Sequence, residues 1–151
     1  IFSVGSQTSG TWTIGNVQLE PGTNATSFET RSYGQELALC QRYFEKSYDD
    51  NVAVGTATTN GVLGGAVYYY NAGNQKTSTS SSFRVTKRTQ PTLTFYDTAG
   101  NSGVYSNFIN GTTTSNYGAI TVLGNGCNGF HVYPTNYANS MVYHFTAYAE
   151  L

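Results

Sequence analysis

Charged residues are scarce in this 151-residue chain: only 10% of its residues are Asp, Glu, Lys or Arg. Seven basic and eight acidic side chains leave a formal net charge of -1, so the chain lacks the basic patches that bind nucleic acid or anionic membranes. No apolar run approaches the roughly 18 residues that cross a bilayer. We therefore expect no nucleic acid among its partners and no insertion into a membrane.

Cysteine and catalytic motifs are also sparse. The two cysteines, Cys40 and Cys127, are far apart and lack the spacing of a zinc site. Cys40 is expected to be a small buried hydrophobe, while a long-range disulfide between the two stays open. The sequence contains no G-x-S-x-G, no G-x-x-x-x-G-K and no H-E-x-x-H motif. We expect no catalytic residue, no metal and no cofactor.

Aromatic residues make up 15% of the chain, and 13 of them are Tyr. Together with abundant Gly, Ser, Thr and Asn, they indicate an all-β protein rather than a disordered one. From residue 49 to 151, short alternating runs are separated by polar breaks, which predicts an antiparallel, jelly-roll-like β-sandwich. The segment "KTSTSSS" is expected to be a flexible loop.

The run "SMVYHFTAYAEL" is the clearest strand of the sequence. Its alternation places Met141, Tyr143 and Phe145 on the core face. His144 then falls on the opposite face, expected to be a wet surface or a subunit contact. His131 is likewise interpreted as a surface or interface residue rather than a catalytic one.

One short helix is predicted near the start, in "SYGQELALCQRYFEK". Ser32 and Gln35 have the spacing of a capping box, and an apolar stripe follows. We predict three segments. Residues 1–31 are the terminal strand and linker of an upstream β-module, residues 32–48 are a connecting helix, and residues 49–151 are the sandwich domain. The side chains expected to carry the packing are Trp12, Leu37, Cys40, Phe44, Phe145 and Leu151.

Aromatic rings beside amides suggest a saccharide ligand. Tyr69 and Asn71 lie in "YYYNAGNQ", and Tyr133 and Asn136 lie in "HVYPTNYANS". A sugar offers an apolar CH face for stacking and hydroxyls for hydrogen bonding. These four residues are the predicted glycan-binding residues. Successive strand tyrosines point to opposite faces, so packing of part of the Tyr triplet stays an alternative.

The stretch "TWTIGNVQLEPGTNATSFETRSYGQELALCQRYFEKS", residues 11–47, resembles a junction found near the C-termini of tailed-bacteriophage tail fibres and tailspikes. The NVQLE and ELALCQRY segments carry the resemblance. It implies a C-terminal domain of a homotrimeric, extracellular virion fibre that touches bacterial surface polysaccharide. No catalytic residue lies in the matching segment.

Two other functions stay open. A purely structural trimerisation or assembly tip would bind no ligand. A polysaccharide depolymerase would need paired carboxylates, for which Asp49, Asp50 and Asp97 are the candidates, although any such activity is expected upstream of this chain.

The aromatic, weakly charged surface independently suggests an interface between copies.

Overall fold

The computed structural model describes residues 9–11, 13, 15, 17–24, 26–66, 78–136 and 140–150. Within them, one helix precedes eight strands. The elements are α1 (Tyr33–Gln41), β1 (Phe44–Lys46), β2 (Leu63–Ala66), β3 (Thr79–Ser82), β4 (Thr92–Tyr96), β5 (Val104–Ile109), β6 (Thr112–Gly126), β7 (Gly129–Pro134) and β8 (Ser140–Tyr148). The expectation of a mostly β protein with one short helix is confirmed.

The strands form one antiparallel sheet that curls into a half-barrel, with β8 as its central strand. On one side, β8 pairs with β1 and β2; on the other, it pairs with β4 and β5. From β5 the sheet continues through β6 and β7 to β3. The open seam of the half-barrel therefore lies between β1 and β2 on one wall and β3 on the other.

The β5–β6 hairpin follows directly from its turn sequence. Asn110 and Gly111 both have positive φ, 50° and 82°, which is the geometry of a type I′ two-residue turn and is favoured by Asn-Gly. The prediction of a flexible loop at "KTSTSSS" is wrong for residues 79–82. Residues 79–82 form β3 because their backbone pairs with Gly129–Val132 of β7, a long-range contact that local composition does not reveal.

The concave face of the sheet carries an aromatic core. Along β8, Met141, Tyr143, Phe145 and Ala147 are all buried, which confirms the predicted core face. Phe145 lies 5.0 Å from Phe130 between ring centroids, in edge-to-face geometry. Such aromatic pairs contribute about 0.5–1.5 kcal/mol beyond the area they bury. The buried core consists of Phe83, Phe95, Tyr105, Phe130, Val132, Met141, Tyr143, Phe145 and Ala147.

The opposite face of β8 is less exposed to solvent than expected, because His144 is fully buried. Tyr48 stacks on its ring at 3.9 Å. Since the Phe145 N–H donates to Ser47 Oγ, the Ser47 hydroxyl is free to donate to His144 Nδ1 at 3.0 Å. The proton on Nε2 then donates to the Thr58 carbonyl at 3.1 Å. The prediction of a surface histidine is wrong here, since loop 47–58 folds over this face.

Helix α1 has the predicted N-terminus and a shorter C-terminus. The capping box between Ser32 and Gln35 is present, and the helix ends at Gln41 rather than extending to residue 48. Residues Phe44–Lys46 form a strand rather than a further helical turn, because their backbone pairs with Thr146–Tyr148 of β8. The sheet therefore includes part of the predicted connecting segment.

The apolar stripe of α1 is not buried within the described part of the chain. Leu37 is half-buried, whereas Cys40 and Phe44 are exposed, so the predictions that Cys40 and Phe44 are core residues are wrong. Cys40 and Cys127 are both free thiols. Of the other predicted packing residues, Trp12 and Leu151 lie outside the described residues.

Candidate functional site

A cleft of about 390 Å³ occupies the open seam of the half-barrel. At one end of the cleft the two walls touch: Thr79 of β3 approaches Gly65 of β2 so closely that a Cβ on Gly65 would lie 3.1 Å from the Thr79 side chain. Away from this contact the walls separate, and Phe145 of β8 contributes to the lining. The seam cleft is lined by Glu45, Lys46, Ser47, Asp49, Gly61, Val62, Leu63, Ser81, Ser82, Arg84 and Phe145.

A buried ion pair anchors the wall of the cleft. The Lys87 ammonium, fully buried, donates to Glu45 Oε2 and to the main-chain oxygen of Gln41 at the end of α1. It also lies 4.8 Å from the centroid of the Phe83 ring. Both Glu45 oxygens accept from the Arg84 main-chain N–H at 3.2 Å. The pair thus fixes α1, β1 and the Arg84 backbone relative to one another.

Two charged side chains of the cleft carry no partner within the part of the chain that the structure describes. The ion pairs among the described residues involve the cations Arg31 and Lys87 and not Arg84. No described carboxylate therefore lies within 4.0 Å of the Arg84 guanidinium. The Asp49 carboxylate likewise accepts no hydrogen bond from a described residue. Both groups are exposed. Their hydrogen-bonding capacity is therefore available to a ligand.

Further polar side chains of the lining are held in place. Lys46 Nζ donates to the carbonyls of Asp50 at 3.1 Å and Val52 at 2.6 Å, which fixes the loop after β1. Ser81 Oγ lies 3.3 Å from the hydroxyl of Tyr143. Burial raises the pKa of that phenol, an effect the Ser81 contact partly offsets, so Tyr143 is neutral and its hydroxyl retains its proton. Pre-placed donors and acceptors of this kind give a pocket its orientation and specificity.

One glycine shapes the cleft by conformation. Gly61 has φ +79°, in the left-handed region, and a Cβ there would overlap the Ser47 carbonyl. Only Gly accommodates both constraints without strain. The close approach of residue 61 to the end of β1 therefore depends on this residue type.

Ser47 and His144 have the donor–acceptor geometry of a nucleophile and its base, but the pair is structural. The imidazole is fully buried, and the Ser47 hydroxyl already holds the Phe145 amide. Activation of a serine requires its oxygen to face a substrate carbonyl with the base oriented behind it. Here the two side chains instead link the residue after β1 to β8.

Of the four predicted glycan-binding residues, the two that the structure describes, Tyr133 and Asn136, lie away from the seam cleft. Tyr69 and Asn71 lie outside the described residues. Tyr133, half-buried, is paired with Thr121 in the β6–β7 ladder, and Asn136 Nδ2 donates to the Tyr117 carbonyl at 2.7 Å. Neither Tyr133 nor Asn136 lines the cleft. Their role in binding stays a prediction.

Asn136 also has a structural contact. Burial raises the pKa of the Tyr105 phenol to about 12, so the hydroxyl stays protonated and donates to the Asn136 carbonyl at 3.1 Å. These contacts hold the end of β7 against β5 and β6.

Asp97 is fully buried and fully engaged. Its carboxylate accepts from the main-chain N–H groups of Ala99, Asn101 and Asn116 and from the Asn101 side chain, at 2.7–2.9 Å. Burial by itself raises the pKa of Asp97, but these hydrogen bonds outweigh it and bring the pKa below its usual value. The carboxylate stabilises the β4–β5 turn and has no free face for a substrate.

Sequence reasoning missed the seam cleft because its walls come from four distant segments. From the sequence, Asp49 is a candidate only for a depolymerase carboxylate pair, and nothing in "SFRVTKR" distinguishes Arg84. The one usable signal was the charge itself. In a chain with so few charged residues, Glu45, Lys46, Asp49, Arg84 and Lys87 account for five of the 15.

Among the described residues, no group of three or more His, Cys, Asp or Glu side chains is placed to hold a metal ion. The helix found in that same part of the chain is too short to cross a bilayer. Comparisons with known protein families, with characterised proteins and with solved structures find no match for this chain. Its function is therefore argued from the chemistry of its own residues.

Proposed function

We propose that this chain is the C-terminal domain of a tailed-phage tail fibre or tailspike, that it forms a homotrimer, and that its seam cleft binds saccharide on the bacterial surface. In this proposal the protein is part of the virion, works outside the cell and is not an enzyme. The observation that carries the binding function is the seam cleft, in which the Arg84 and Asp49 side chains present polar groups that pair with no other described residue.

The chemistry of the cleft suits a polyhydroxylated ligand. A carboxylate accepts from hydroxyl groups, a guanidinium donates to hydroxyl and ring oxygens, and serine hydroxyls do both. Asp49, Arg84 and Ser82 supply these three kinds of group around one opening. Val62 and Leu63 add apolar surface beside them for the CH face of a sugar. The volume of about 390 Å³ lies within the range of small-molecule sites.

The assembly function is supported by apolar side chains that the described chain leaves uncovered. Leu19 is 100% exposed and Val17 74% exposed in the segment before α1. Phe44 and Tyr148 are cross-strand partners on one face of the sheet and are 41% and 51% exposed. Uncovered apolar surface of this kind marks a contact with another module or another copy.

The resemblance of residues 11–47 to a fibre junction supports the same assignment. In the trimer that we propose, the segment before α1 leads to an upstream module and α1 lies at the junction. The second layer of the expected jelly-roll-like sandwich is also part of the proposal. It would cover the exposed face of β1 and β8.

A purely structural assembly tip is the second candidate, and the exposed segment before α1 favours it. It shares the trimer but needs no ligand in the seam cleft. A depolymerase is the weakest candidate. Asp97 is buried in hydrogen bonds, and the Asp50 carboxylate accepts from the Tyr33 hydroxyl at 3.2 Å. Glu45, the other carboxylate that lines the cleft, is paired with Lys87, so among the described residues no free second carboxylate accompanies Asp49.

The binding proposal is tested by titrating the whole chain with a panel of bacterial surface polysaccharides. Ser82→Trp fills the rim of the seam cleft and is expected to abolish binding. Ser80→Trp is the matched control, because Ser80 lies on the same strand and the same face but outside the cleft lining. If the panel shows no binding to the unchanged chain, the structural tip becomes the better assignment. If Ser82→Trp binds as well as Ser80→Trp, the ligand binds elsewhere.

The oligomer is tested separately by light scattering after size exclusion. The proposal predicts a mass three times that of the 16.3 kDa chain. A mass of one chain at high protein concentration contradicts self-assembly of this domain, and leaves saccharide binding to be judged by the titration alone.

A further inference from the structure

We infer that the seam cleft is selective for an acidic saccharide, whose carboxylate pairs with the Arg84 guanidinium. The inference rests on the proposed saccharide-binding function and adds the class of sugar and the residue that selects it. It is carried by the Arg84 guanidinium, which has no partner among the described residues, and by the way the Arg84 backbone is held.

Arg84 is the one cation at the cleft without a described partner. Lys87 is paired with Glu45, and Lys46 donates to two carbonyls. Arg31, at the start of the helix, is paired with Glu29 and Glu36. An exposed guanidinium at the mouth of a polar cleft presents a planar fork of donors that matches a carboxylate bidentately.

The charged side chains that line the cleft balance in number: Lys46 and Arg84 are positive, and Glu45 and Asp49 are negative. Lys46 donates to two carbonyls, and Glu45 is paired with Lys87, which lies outside the lining. Arg84 and Asp49 are therefore the two lining charges open to a ligand, and the guanidinium is the one that attracts an anion.

The buried ion pair prepares Arg84 for this role. Glu45 accepts from the Arg84 main-chain N–H with both oxygens at 3.2 Å, and Lys87 holds Glu45 in turn. The backbone of Arg84 is therefore fixed while its side chain stays free. Anchoring the backbone keeps the guanidinium within reach of the cleft and removes part of the ordering cost of binding, while the side chain itself becomes ordered only with the ligand.

Asp49 sets the orientation of the ligand. A carboxylate near Asp49 would be repelled, whereas sugar hydroxyls there would donate to it. The acidic group is thus directed to the Arg84 side of the cleft and the hydroxyls to the Asp49 side. Two opposed requirements of this kind give specificity through both attraction and repulsion.

Two probes that differ only at C6 test the inference: methyl glucuronide, which carries a carboxylate, and methyl glucoside, which does not. Both are titrated into the whole chain and followed by amide chemical shifts in NMR. We expect the glucuronide to bind at least about tenfold more tightly, as one charge-assisted hydrogen bond allows. Higher salt should reduce this preference.

Variants assign the preference to Arg84. Arg84→Gln is expected to bring the two probes to equal affinity, and Arg84→Lys to retain part of the difference, because Lys keeps the charge but not the planar fork. Arg88→Gln is the control, since the Arg88 guanidinium lies over the Tyr43 ring and outside the cleft lining.

The outcomes separate this inference from the function on which it rests. Equal binding of both sugars by the unchanged chain overturns the acidic selectivity and leaves saccharide binding standing. An undiminished preference in Arg84→Gln also overturns it. If acetate shifts the same amides as strongly as the glucuronide does, the cleft is a simple anion site and the inference fails. If neither sugar nor any polysaccharide of the panel binds, the proposed binding function fails with it.

Discussion

Replacing Lys87 with Met should destabilise the protein more than any change of an exposed charge. The Lys87 ammonium and the Glu45 carboxylate are buried together, with side-chain exposures of 0% and 4%. Lys87→Met leaves Glu45 charged and buried, with the Arg84 N–H as its remaining described donor. It also removes the donor to the Gln41 carbonyl.

The magnitude follows from the burial of the pair. Breaking a buried ion pair by removing one partner costs about 3–5 kcal/mol, which is roughly a third of the unfolding free energy of an ordinary domain. For a chain of this length, the expected loss in melting temperature is about 10 °C. The double replacement Glu45→Leu with Lys87→Met removes both charges and leaves two unpaired main-chain groups, so it should cost about 2 kcal/mol, less than Lys87→Met alone.

Urea titrations followed by far-UV circular dichroism, at pH 7.5 and one fixed protein concentration, measure these differences. Arg42→Met is the control, because Arg42 is exposed and forms no ion pair among the described residues. It should change the unfolding free energy by less than about 0.5 kcal/mol. The reasoning is refuted if Lys87→Met costs no more than Arg42→Met, or if the double variant is less stable than Lys87→Met.

Two further predictions concern buried polar groups. Burial lowers the pKa of His144, partly offset by its hydrogen bond to Thr58, so the unfolded chain binds the proton more readily. Stability should be constant above the unfolded pKa of about 6.5 and fall as the pH drops below it. Urea midpoints at pH 7.5 and 5.5 should therefore differ for the unchanged chain and agree for His144→Gln; an equal decrease in both would assign the pH effect to other groups. Asp97→Ala removes the acceptor of four hydrogen bonds, three from the β4–β5 turn and one from Asn116 of β6, and should cost about 4 kcal/mol. A loss below about 1 kcal/mol in the same titration would show that water replaces the carboxylate.

Local sequence was sufficient where neighbours in the chain determine the structure. The capping box of Ser32 and Gln35 sets the start of α1, and Asn110-Gly111 sets the β5–β6 turn. The alternation of β8 identified the buried row from Met141 to Ala147. These features depend on backbone conformation and a period of two, both of which are readable within about ten residues.

Local sequence failed where a distant segment decides the environment. Phe44 looked like the end of an amphipathic helix, but pairing with β8 makes it an exposed strand residue. His144 looked like a surface residue, but loop 47–58 covers it. In both cases the competing contact comes from about 90 residues or more away, beyond any periodicity.

The sequence by itself determined the β-rich class, the capped helix α1, the Asn110-Gly111 turn and the core face of the last strand, because each of these is a local preference of the chain. Only the tertiary structure decided the site. The seam cleft exists because the sheet curls and brings β1 and β2 opposite β3, and the buried Lys87–Glu45 pair then holds Arg84 at its edge. Residue 84 becomes a neighbour of residues 45 and 49 only through the tertiary fold, and no spacing along the chain encodes that distance.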